Sequence, residues 1–128
     1  MVYAAGAHGR ARPIWAIYGD KTMLSDEPCG VAIDDAGNVY VADCGADQID
    51  VYAAGAHGNV SPIQAIAGAQ TGLASPSGVA VDAAHAIYAA NQHSVTVYAA
   101  GTTGNSAPIQ TIAGLETGVD FPTGIALH

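Results

Sequence analysis

VYAAGAHG runs from Val2 to Gly9 and returns unchanged from Val51 to Gly58; VYAAG stands a third time from Val97 to Gly101. The stretch after each copy aligns without gaps, as RARPIWAIYG, NVSPIQAIAG and NSAPIQTIAG. A second block, PCGVAIDDAGNVYVADCG from Pro28, matches PSGVAVDAAHAIYAANQH from Pro76 and starts again at Pro122 as PTGIALH. Tyr3 and Tyr52 are 49 residues apart, Tyr52 and Tyr98 46 apart. A period of about 47 residues marks one supersecondary unit used several times.

Within one period four short strands are expected. GVAID (Gly30 to Asp34) and NVYVA (Asn38 to Ala42) flank Asp35-Ala36-Gly37, a turn whose glycine supplies a positive φ. QIDVYA (Gln48 to Ala53) and PIQAIA (Pro62 to Ala67) follow, each rich in β-branched residues and bounded by Gly, Pro, Asn or Asp. Helix is disfavoured because Gly or Pro interrupts nearly every stretch of ten residues. Four strands per repeat of this length is the arithmetic of a β-propeller blade, and Ala and Gly in the first strand suit a crowded centre. An immunoglobulin-like sandwich is the alternative, but it gives no reason for the sequence to repeat. The fold class expected is therefore all-β, with blades of four antiparallel strands.

The pattern P-x-G-[VI]-A-[VIL]-D-x-x-G-N-[VI]-Y-V-A-D, clearest from Pro28 to Asp43, resembles the NHL repeat. VYAAGAHGNVSPIQAIAG is similar to the linking stretch of bacterial NHL-type propellers, including virginiamycin B lyase-like proteins. The resemblance covers nearly the whole chain. It implies a fold more than a function, because such propellers include lyases, lactonases and plain binding platforms.

Strand counting gives a single propeller segment over residues 1–128: a partial blade (1–20), two blades (28–68 and 76–114) and the start of another (122–128). That is an incomplete ring of about 2.7 blades, where closed rings have about four to eight. Either copies associate through their open, apolar blade faces or the chain is a fragment of a longer one, the reading the sequence favours. Head-to-tail joining of Gly124 to Leu127 with the first two strands of another copy leaves that composite blade without its second strand.

The formal charge is -8, and Arg10, Arg12 and Lys21 are the only lysines or arginines. That excludes the basic face a nucleic acid needs, and disfavours an anionic membrane surface. No apolar run is long enough for a membrane-spanning helix, and no signal peptide is evident. Localisation stays open, with an extracytoplasmic bacterial origin implied by the resemblance.

Several polar positions are candidates for a site. Asp34 and Asp82 end the first strand of their repeats, with His128 at the third; Asp43 and Asn91 end the second. Asp34, Asp82 and Asp43 could present oxygen ligands to Ca²⁺ at a channel mouth. Recurrence in each repeat favours the plainer reading, turn capping, so no cofactor is expected. Asp43, Asp47 and Asp50 read as a solvated acidic edge. Cys29 and Cys44 lie near one another if Ile33 faces Val39; two unbridged thiols is the plainest reading, with a disulfide, a redox pair or half a metal site as alternatives. His8, His57, His85 and His93 read as solvated loop residues, although His93, Asp43 and Asn91 could also contact a ligand. Trp15 stands where the other copies have Gln64 and Gln110, either to anchor a partner or to cover an open face.

Two functions of different class remain. The first is a non-enzymatic propeller binding a protein, peptide or glycan. The alternative is part of a lyase- or lactonase-type enzyme with a divalent cation at its central channel. The sequence favours the first, because its repeats keep like residues in like places and no acid–base constellation stands out.

Overall fold

The computed structural model describes every residue from Met1 to His128. Eight strands form two four-stranded antiparallel sheets, each an up-and-down meander. The first sheet holds β1 (Pro28–Ile33), β2 (Val39–Asp43), β3 (Gln48–Tyr52) and β4 (Gln64–Ala67). The second holds β5 (Gly78–Val81), β6 (Ile87–Ala90), β7 (Ser94–Tyr98) and β8 (Gln110–Ala113). Helix is confined to single 3₁₀ turns at Asp20–Thr22 and Leu115–Thr117.

The local chemistry explains the hairpins. Asp34 Oδ1 accepts the backbone N–H groups of Ala36 at 3.0 Å and Asn38 at 2.8 Å, closing the β1–β2 turn. Asp82 Oδ1 does the same for Ala84 and Ala86 in the β5–β6 turn, both at 2.9 Å. These are Asx turns, in which a short carboxylate satisfies donors that the ladder leaves free. Gly37 provides φ +86° in the first turn, and His85 adopts φ +62° at the same position in the second. A side chain in that left-handed region is disfavoured and needs holding. His85 Nδ1 lies 3.2 Å from Asp34 Oδ2, so its ring is tied to the turn of the other sheet.

Ile33 pairs with Val39 and Gly30 with Ala42, after which the register shifts and Pro28 pairs with Asp43. The irregularity leaves Cys29 without a ladder partner and turns it toward Cys44. The two are joined by a disulfide with Cα atoms 5.8 Å apart, so the reading of unbridged thiols is corrected. Its physical cause is that bulge, which a regular register does not contain.

The sheets stack face to face. Tyr40, Ala42, Ile49, Val51 and Ile66 of the first pack with Val79, Ile87, Ala89 and Tyr98 of the second in one buried cluster. Close approach at the inner strands depends on glycine. A Cβ on Gly30 would stand 2.8 Å from the Gly78 Cα and 3.0 Å from the Ser77 carbonyl oxygen. A Cβ on Gly78 would in turn stand 2.9 Å from the Gly124 Cα. One row of glycines thus runs through both sheets and onto the C-terminal segment.

The chain ends depart from expectation. Residues 1–20 form no regular strand pair; Val2 and Trp15 make an isolated antiparallel bridge, and Ile17 a parallel one with Gly58. Residues 122–128 lie beside β5 without forming a strand. A strand needs a partner's ladder on at least one side, and neither end finds a regular one within these residues.

Replacing Gly30 or Gly78 by Ala forces a methyl group into backbone that cannot yield. Each variant is expected to lose about 1–3 kcal/mol of stability, read as a lower melting temperature. Wild-type melting of both variants would contradict the glycine contact.

Candidate functional site

The connectors between repeats organise the polar residues. Each has the form Gly-x-x-Thr: Gly19 to Thr22, Gly68 to Thr71 and Gly114 to Thr117. In all three the threonine hydroxyl donates to the glycine carbonyl at 2.7 Å and accepts the N–H two residues on. The first two connectors are gripped by the sheet that follows. Tyr52 donates to the Thr22 carbonyl at 2.5 Å, and Tyr98 to the Thr71 carbonyl at 2.6 Å. Asn59 Oδ1 accepts from the Lys21 N–H, and Asn105 Oδ1 from the Gln70 N–H, at 2.8 and 2.7 Å. None of these roles was anticipated, although the Gly-x-x-Thr recurrence and the matching Tyr and Asn positions were visible signals.

Asp43 and Asn91 serve the same connectors and are almost wholly buried. Asp43 accepts the Ser25 N–H at 2.5 Å and the Ser25 hydroxyl; Asn91 accepts the Ala74 N–H at 3.2 Å and donates to Thr96 Oγ1 at 3.0 Å. Neither faces solvent, so neither is placed to meet a ligand. The solvated acidic edge is corrected for two of its three members: Asp43 and Asp50 are fully buried, whereas Asp47 is exposed and accepts the Ser75 N–H at 2.5 Å. The ladder set this, because β2 and β3 are both covered along their length.

Asp34, Asp82 and Asp43 are not brought together, and no group of three or more His, Cys, Asp or Glu side chains is arranged to hold a metal. Asp34 and Asp82 are committed to their turns and to tyrosines, with Tyr40 and Tyr88 each donating at 3.1 Å. Burial opposes ionisation of Asp34, but bonds from Asn38, Tyr40 and Ala36 outweigh it and hold the carboxyl below its ordinary value. The Ala86 N–H, with Tyr88, does the same for Asp82. Tyr40 is pushed up to about 12, by burial and then by Asp34.

His8 and His57 lie exposed and contact only local carbonyls, of Gly6 and Gly55. His93 stacks edge-on against Phe121 at 4.8 Å and pairs with Asp120 at 3.1 Å, which fastens the C-terminal segment. Trp15 is half-buried and lines an apolar groove of about 600 Å³. Val31, Ile33, Val39 and Val41 form the groove's sheet wall, and Trp15 and Ile17 its other side. Comparison between repeats shows what the groove is. Val31 is 66% exposed, whereas Val79, its counterpart in β5, is 4% exposed because the first sheet covers it. The groove therefore lies where the inner strands of a preceding sheet would sit.

No known protein family matches the chain, and no curated protein matches it significantly.

One buried group lacks support. Asp50 Oδ2 accepts from Gln48 at 2.8 Å, but Asp50 Oδ1 has no hydrogen-bond partner. Burial, reinforced by the Asp43 charge, raises Asp50 from 3.8 to about 6. The folded state thus prefers the protonated acid; this contribution is full below 3.8 and lost as pH rises through about 6. Asp50→Asn is expected to gain roughly 2 kcal/mol at pH 8 and almost nothing at pH 4, measured by denaturant unfolding. An equal effect at both pH values would contradict the assignment.

Proposed function

We propose that the two sheets are neighbouring blades of an NHL-like β-propeller and that the chain is a non-enzymatic interaction module working through its open sheet faces. The observation that carries the reading is the contrast between Val31 and Val79, equivalent residues of which one is exposed and one covered. Repeating sheets that bury their faces only against neighbours leave an apolar surface at each end, and such surfaces mark association sites. The other end repeats the contrast: Ile66 is fully buried, while Ile112 at the same position of β8 is 45% exposed.

The groove lining is mostly aliphatic, which fits a protein or peptide segment better than a glycan. The polar residues that recur between repeats are taken up by turns and connectors, which favours binding over catalysis. A disulfide is at home in an oxidising compartment, in keeping with an extracytoplasmic setting.

Light scattering over a range of concentrations tests this reading. The wild-type chain is expected to self-associate. Val31→Asp combined with Ile33→Asp places two charges on the exposed face and is expected to weaken association at least tenfold, with the melting temperature of the dilute protein little changed. A monomer at every concentration would contradict the reading.

A further inference from the structure

The two ends of the chain carry halves of one contact. At the C-terminal end, the third connector repeats the internal bond of the others, but its Thr117 carbonyl receives no tyrosine and no side chain stands at Gly114. In the first two connectors, the equivalent glycines are touched by Asn59 and Asn105. At the N-terminal end, Tyr3 occupies the position of Tyr52 and Tyr98 in the repeat. It is 48% exposed, whereas those two are fully buried. Its hydroxyl reaches only the Met1 sulfur. Arg10 occupies the position of Asn59 and Asn105.

We infer that the partner of each open end is the opposite end of a second copy, joined in the register that the chain uses internally. This rests on the reading of the open faces given above. The internal contacts set the register. Ile17 bridges to Gly58 and Ile66 to Gly104, so Ile112 of one copy bridges to Gly9 of the other. Tyr52 donates to Thr22 and Tyr98 to Thr71, so Tyr3 donates to the Thr117 carbonyl. Gly30 packs on Gly78 and Gly78 on Gly124, so Gly124, with nothing within 4 Å of the Cβ position, packs on Gly30 of the other copy.

Charge supports the pairing at the one position where the repeat changes. Where Asn59 meets the backbone of Lys21 and Asn105 that of Gln70, Arg10 would meet Glu116. A cation thus replaces asparagine only in the copy whose counterpart has an acid. Arg10 is one of three lysines and arginines in a chain of net charge -8, all of them near the N-terminus. Before Asp20 the only charged side chains are Arg10 and Arg12, and after Gly114 they are Glu116 and Asp120, so the two ends carry opposite charge, which orients the encounter head to tail.

Stoichiometry follows from counting sheets. Each copy has two complete sheets, and each junction adds a composite one: Gly124–Leu127 of one copy as the first strand, residues 2–17 of the other as the third and fourth. Two copies make about six sheets, within the range of about four to eight for closed rings. One copy would make about three and three copies about nine, both outside that range. The second-strand slot of the composite sheet, over Val39 and Val41, is filled by neither copy. The junction therefore rests on contacts of the other three strands.

Sedimentation equilibrium on the 128-residue chain decides it. The expected mass is two chains. Arg10→Glu and Glu116→Arg should each weaken the dimer about tenfold, and the double exchange should restore it. Gly124→Ala should weaken the dimer without altering the unfolding of dilute protein, because the added methyl meets nothing within one copy. Association at another stoichiometry, or indifference to the charge reversals, would overturn this register while leaving self-association through open faces intact. A monomer throughout would overturn both.

Discussion

The bond from the Tyr98 hydroxyl to the Thr71 carbonyl shows the constraint under which this structure is built. The connector leaving one sheet turns back on itself through Gly-x-x-Thr and exposes a carbonyl that only the following sheet satisfies. A buried polar group left unpaired costs about 1–3 kcal/mol, so in the first two connectors the tyrosine of the following sheet stabilises a carbonyl that its docking buries. Tyrosine suits the task because its ring fills core volume while its hydroxyl reaches the carbonyl. Asp43 and Asn91 grip the same connectors from the second strand, with a carboxylate in one repeat and an amide in the other.

That dependence links the fold to its surface. Sheets completed by their neighbours have no apolar faces to spare in the middle of the stack, and exposed ones at both ends. The large apolar groove is lined by Trp15, Val31 and Ile33 at the end of the stack and by none of the residues of the buried cluster between the sheets. The lone unsupported carboxylate, Asp50, is another cost of an imperfect repeat: the second sheet has Thr96 there, which bonds to both Asn91 and Tyr98.

Much of the fold was legible because β-strands announce themselves locally. Alternating β-branched residues and the Asp-x-x-Gly turn placed the four strands of the first sheet to within about two residues, the repeat called for four more in the second, and the pairing of Ile33 with Val39 is as the turn suggested. What could not be read depended on tertiary partners. The bulge beside Cys29 comes from a register shift with no sequence marker, and with it came the disulfide. The strand-like patterns of residues 1–20 and 122–128 are genuine, yet a strand without a ladder stays irregular. Asp43 and Asn91 read as caps of nearby turns, with a surface ligand contact as the alternative, because aspartate and asparagine usually are exposed. Their burial follows from connectors folding over the ends of β2 and β6, a contact between segments distant in the chain.

The most direct measurement of the central claim, that a neighbouring sheet completes each sheet, is hydroxyl-radical footprinting at increasing protein concentration. The account predicts that Val79 and Ile66 are protected at every concentration. Val31 and Ile112 should be labelled in dilute solution and become protected together as concentration rises. Labelling of Val31 and Ile112 that never changes, or heavy labelling of Val79 and Ile66 in the folded protein, would contradict it.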